Sequence, residues 1–63
     1  MKTNDFVQEL RAAGCEFLRN GSNHDIWYSP ITNKLFQVPR HGSKEIPTGT
    51  EKNIRKVSGV KKP

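Results

Sequence analysis

Apolar side chains recur along this chain in two different rhythms. Over the first thirteen residues Phe6, Leu10 and Ala13 return at intervals of three and four, with polar and charged residues between them. That spacing stacks them on one face of a helix. Thr3 or Asn4 can cap it, Asp5 suits the positive end of its dipole, and Gly14 supplies a stop, so the predicted helix runs from Thr3 to Ala13. From Cys15 onward the rhythm shortens. CEFLR (15–19) mixes apolar and polar residues, while HDIWYS (24–29) and KLFQV (34–38) are rich in β-branched, aromatic and aliphatic residues. NGSN and PITN separate the three segments and carry turn chemistry, with Asn33 suited to a left-handed backbone, so three strands are predicted. After Pro39 the segment RHGSKEIPTG reads as loop, broken by Gly42 and Pro47. A second helix is predicted to start between Thr48 and Thr50 and to run to about Ser58, with Ile54 and Val57 as its apolar contacts and Gly59 as its stop. Lys61 to Pro63 are expected to form a frayed tail.

The element order is therefore α-β-β-β-α, an α+β class, in one domain over residues 1–63. Both helices can cover one face of a three-stranded antiparallel meander and leave the other face open. Alternation along the second strand puts Ile26 and Tyr28 on one side and Trp27 on the other. Phe36 and Val38 are expected to face the helices, along with Cys15 and Phe17. For Trp27 two roles stay open, packing in the core or stacking against a partner on the surface. If strands two and three pair around PITN, the numbers of paired residues sum to about 62 or 63, which brings His24 beside Val38, Pro39 and Arg40.

Size and charge narrow the function. A chain of 63 residues buries only roughly 60% of its unfolded surface, so a deep substrate cavity is not expected. Its 11 Lys and Arg outnumber 6 Asp and Glu, for a formal net charge of +5, and the positive residues recur from Lys2 to Lys62. That distribution favours a polyanionic partner, through attraction and counterion release. Cys15 is the only cysteine, which precludes an intramolecular disulfide and reads as a small buried hydrophobe. With Met1, Lys2 and a polar residue at the start in place of an apolar signal region, a reducing, cytoplasmic setting is expected. No apolar run nears the roughly 20 residues needed to cross a bilayer, so no membrane partner is expected. One Cys and two His fall short of a four-ligand zinc site, and neither metal nor cofactor is expected.

Against this background the turn NGSNH (20–24) is the candidate for chemistry. Gly21 lends the turn freedom of φ, Ser22 and Asn23 add hydrogen-bond donors, and His24 opens a strand beside Arg40. A titratable imidazole near a guanidinium, at the rim of an open basic sheet, can bind a phosphate and move a proton at neutral pH. Arg40 is the candidate for stabilising the phosphate, with Lys44 or Arg19 as substitutes. His41, one residue beyond Arg40, is either a second acid or base or a binding contact.

Taken together, the first helix with Gly14, the aromatic strand, GSNHDIWYSP, QVPRHGSKEIPTGT and the last short helix resemble the HicA family of toxin ribonucleases, over nearly the whole chain from Phe6 to about Val60. The most specific parts are Gly21-Ser22 leading to His24, VPRH at Val38 to His41, and Gly49-Thr50 at the last helix. The resemblance implies a fold like that of double-stranded-RNA-binding domains and an endoribonuclease that cleaves messenger RNA. It also implies that the histidine after the Gly-Ser turn, here His24, is catalytic, and that a HicB-type antitoxin is the inhibitor. The free toxin is expected to be a monomer. A noncatalytic, basic RNA-binding module, in which His24 is one more contact, is the competing expectation.

Overall fold

The computed structural model describes residues 1–40 and 42–62. Its elements are α1 (Thr3–Ala12), β1 (Glu16–Asn20), β2 (His24–Ser29), β3 (Lys34–Pro39) and α2 (Thr48–Ser58). The three strands form an antiparallel sheet in the order β1-β2-β3. This is the α-β-β-β-α order expected, in a double-stranded-RNA-binding-domain-like arrangement.

Helix α1 buries Phe6 and Leu10 completely. Its start departs from expectation, since neither Thr3 nor Asn4 caps it; the N-cap is Lys2, with no side-chain bond. The free N–H groups of the first turn are instead taken up by the loop after β3. Thr3 donates its N–H to the Lys44 carbonyl at 2.9 Å and its hydroxyl to the same oxygen at 3.0 Å, and the Asn4 N–H reaches the Gly42 carbonyl at 3.0 Å. Backbone oxygens from more than thirty-five residues away thus do what a local side chain was expected to do. The end of α1 follows expectation. Gly14 stands at φ +97, its N–H bonds to the Arg11 carbonyl and that of Cys15 to Leu10, a Schellman closure that also brings Cys15 against Leu10 in the core. Gly59 ends α2 at φ +76, its N–H returning to the Arg55 carbonyl.

In the sheet the β2–β3 hairpin has the register expected, with Trp27 opposite Phe36 and His24 opposite Pro39. Asn33 takes φ +56 in its turn and accepts a hydrogen bond from the Tyr28 hydroxyl. Between β1 and β2 the register shifts at Leu18, where Phe17 pairs with Trp27 but Arg19 with Ile26. This bulge leaves no trace in the residue types of CEFLR.

The two roles left open for Trp27 are decided in favour of the core. It is 2% exposed, stacked on Phe36 at 6.4 Å and met edge-on by Phe17 at 6.1 Å. Phe36 and Val38 face the helices beside it, with Ile46, Ile54 and Val60 completing the core. Phe17 shares that face but stays 43% exposed: α2 packs over the other edge strand, β3, and buries Phe36 and Val38 there, whereas β1 lies beyond that cover. The opposite face carries Ile26, Tyr28, Leu35 and Gln37 and is open, with Leu35 58% exposed.

The helices are tied together by Arg55. It donates to Glu51 at 2.8 Å and to Glu9 at 2.9 Å, and lies over the Phe6 ring at 4.9 Å. Burial works against its charge, but the bonds to Glu51 and Glu9 more than compensate and raise its pKa above the ordinary arginine value. The β2–β3 turn is moored to the end of α2 by the Ser29 hydroxyl, which donates to the Ser58 carbonyl, and by the Thr32 hydroxyl, which donates to Val57. No helix is long and apolar enough to cross a membrane.

Candidate active site

The turn between β1 and β2 is closed by its own backbone. The Gly21 N–H donates to the His24 carbonyl at 2.7 Å. A Cβ on Gly21 would lie 2.5 Å from that same oxygen, which no side chain tolerates. Gly21 is therefore required here by close approach, not by the freedom of φ expected from the sequence; positive φ falls to Gly14, Gly42 and Gly59.

Arg40 clasps the same turn from outside. Its Nη2 donates to the Gly21 carbonyl at 2.9 Å and to the Ser22 carbonyl at 2.7 Å, while its Nε lies 3.6 Å from Asp25 Oδ1. That carboxylate oxygen is buried with no hydrogen-bond partner, so the guanidinium is its source of compensation. Sequence spacing brought Arg40 to the turn as a phosphate ligand. Here two of its donor positions are spent on the protein itself.

His24 is exposed at the first position of β2. Strand alternation sets it on the side of Ile26 and Tyr28, whereas Asp25, with Arg40 beside it, falls on the side of Trp27. The two groups expected to act side by side therefore line different hollows. One, of about 440 Å³, lies between β3 and α2 and takes His24, Gln37 and Pro39 from the sheet with Thr50 and Asn53 from the helix. The other, of about 410 Å³, opens between α1 and the sheet and is lined by Arg11, Asp25, Trp27 and Arg40. Arg11 stands over the Trp27 ring at 5.1 Å.

Of the remaining candidates, Ser22 and Asn23 are exposed in the turn itself. Arg19 lies on the open face against Ile26, Leu35 and Gln37. Lys44 is exposed on the loop that caps α1, and lines neither of the two hollows. His41 falls outside the described residues. Cys15 is remote in character, since burial pushes its thiol pKa up, offset in part by a hydrogen bond with Ser29, and it stays protonated at neutral pH.

Gln37, Asn53, Asp25 and Arg11 were not singled out by sequence reasoning, and Thr50 only as part of the family resemblance at the last helix. Gln37 could have been, because the hairpin register that places Pro39 beside His24 also fixes Gln37 opposite Ile26 on the histidine's face. For Asn53 there was no comparable signal, since nothing local says where a helix that starts after the long β3–α2 loop will dock.

Comparison with known proteins agrees with this architecture. Residues 3–60 match the family model described as HicA toxin of bacterial toxin-antitoxin, a span that holds all five elements and the whole of NGSNH. A protein of Photorhabdus laumondii subsp. laumondii called probable mRNA interferase HicA 2 is 41% identical over 61 residues, which cover 97% of this chain and 100% of that one. No solved structure matches significantly. With the family model covering nearly the full length, and a relative aligned end to end, the chain belongs to the HicA toxins of bacterial toxin–antitoxin systems.

Proposed function

We propose that this toxin is an endoribonuclease acting on messenger RNA in the cytoplasm, with His24 as its single acid–base group and a HicB-type antitoxin as its restraint. The observation that carries the reading is the position of His24. It is the exposed end of a turn whose geometry is held by a forced glycine and by a two-pronged arginine, beside a hollow open to solvent. Structural economy does not explain so much bracing around a surface histidine.

RNA carries its own nucleophile. In the proposed reaction His24 removes the proton of a 2′-hydroxyl, and the oxygen attacks the adjacent phosphorus. The bond to the 5′-oxygen breaks, that oxygen takes up a proton from water, the imidazolium returns its own proton to solvent, and a 2′,3′-cyclic phosphate remains. Arg40 then serves the reaction mainly by positioning the turn, and Arg19, Lys44, Ser22 and Asn23 are the groups free to meet phosphate oxygens. One acid–base group contributes roughly 10² to 10⁴ in rate, so a modest enzyme is expected. The relative's name as an mRNA interferase supports the substrate.

His24→Ala should abolish cleavage of labelled RNA while its thermal midpoint stays within a few degrees of wild type, because the side chain is exposed. Wild-type activity should persist in EDTA and yield 5′ fragments ending in cyclic phosphate. Retained cleavage by His24→Ala, or cutting at a 2′-deoxy nucleotide, would remove the mechanism.

A further inference from the structure

The hollow beside His24 has more chemistry than proton transfer uses. Its walls are partly aliphatic, from Leu35, Pro39 and Val57, and its rim holds two carboxamides, Gln37 from the open face of β3 and Asn53 from α2. Both amides are exposed, and neither has a hydrogen-bond partner among the described residues. Each offers a donor and an acceptor side by side. Its volume, about 440 Å³, lies in the range of small-molecule sites, roughly 300 to 1,000 Å³.

Resting on the reading of His24 as the acid–base group, we propose that this hollow holds the base of one unpaired RNA nucleotide next to the bond that is cut, and that Gln37 and Asn53 read its edge. Three observations converge. The first is continuity: a nucleotide whose ribose presents its 2′-hydroxyl to His24 has its base within one sugar's reach of the same hollow. The second is chemical fit. Nucleobases in single strands expose adjacent donors and acceptors on their Watson–Crick and Hoogsteen edges, which carboxamides match with paired bonds, while aliphatic walls accept the base faces. The third is charge: among the described residues no acidic side chain lines this hollow, whereas the one on the α1 side contains Asp25. A polyanion therefore meets no carboxylate among the described residues that line the His24 hollow. The two amides come from β3 and α2, so the specificity of the cut is set by how the second helix docks on the sheet.

The test compares cleavage of an RNA pool randomised around the cut site by wild type, Gln37→Ala, Asn53→Ala and the double variant. Wild type should prefer one base at the nucleotide held in the hollow. Each single change should lower the rate at the preferred sequence about tenfold, with the preference relaxed at that one position and rates at disfavoured sequences little changed. As a measurement that needs no variant of either amide, the side-chain NH₂ resonances of Gln37 and Asn53 should shift on adding an uncleavable 2′-O-methyl oligonucleotide, while those of Gln8 and Asn4 on α1 stay in place. If the double variant cuts with wild-type rate and preference, or loses rate equally at every sequence, the base-reading role is overturned. His24→Ala keeps the two ideas apart: if it is inactive while both amides prove dispensable, the catalytic reading stands and the subsite alone falls. If His24→Ala still cuts, the catalytic reading itself fails.

Discussion

At the scale of single residues, the site depends on two that never need to touch substrate. Gly21 brings the chain so close to the His24 carbonyl that a methyl group cannot fit, and Arg40 holds two carbonyls of the same turn. Both fix where the imidazole starts, and displacement of about 1 Å can cost a reaction roughly a hundredfold. Gly21→Ala and Arg40→Ala should therefore each lower kcat with a smaller change in KM. Arg40→Lys should rescue poorly, because an ammonium that replaces Nη2 at both carbonyls leaves no second nitrogen beside Asp25. Single-turnover cleavage alongside RNA-binding titrations separates the two parameters. A variant that loses RNA affinity in full but keeps its single-turnover rate would return Arg40 to the phosphate-binding role that its position in the sequence suggested.

Among elements, the ion pairs of Arg55 are the polar tie between α1 and α2. Arg55 is 11% exposed and satisfies Glu9 and Glu51 at once, over the ring of Phe6. Removing it leaves two carboxylates facing each other with little water to screen them. Arg55→Met should destabilise by about 3 kcal/mol, seen as a lower midpoint in urea, with cleavage at low temperature retained because none of these groups lines the His24 hollow. A variant as stable as wild type would show that the pair is only a surface ornament of the fold. The β2–β3 turn belongs to the same scale, since Ser29 and Thr32 moor it to the last turn of α2 and so help set the hollow's width.

For the molecule as a whole, the open face is also the problem of control. Among the described residues His24 stands exposed at the start of β2, on a chain of net charge +5. The family pairs such a toxin with an antitoxin, and under the proposed function an antitoxin with an acidic or aromatic surface would compete with RNA for the same positive groups. Neutralising Arg19 and Lys44 together should weaken binding of RNA and of the antitoxin, and should flatten the salt dependence of RNA binding by about 1.4 in the log–log slope. Titrations at several salt concentrations read both effects. Undiminished antitoxin binding by the double variant would mean that inhibition does not act through this surface.

Much of this protein is local and could be read from the chain. Helical spacing around Phe6 and Leu10, the stops at Gly14 and Gly59, the left-handed Asn33 and the register that sets His24 opposite Pro39 all depend on residues within one element or one hairpin. So did the candidacy of His24, because a turn and the strand after it are contiguous. Tertiary structure decided whatever required two distant segments to meet. It placed Trp27 in the core, turned Arg40 toward the back of the turn, gave α1 its cap from Gly42 and Lys44, and set Asn53 across from Gln37. The physical reason is the range of the forces. Backbone sterics and hydrogen bonds within a turn act between neighbours, whereas the direction a guanidinium faces or the place a helix docks is settled by burial and charge across the whole fold.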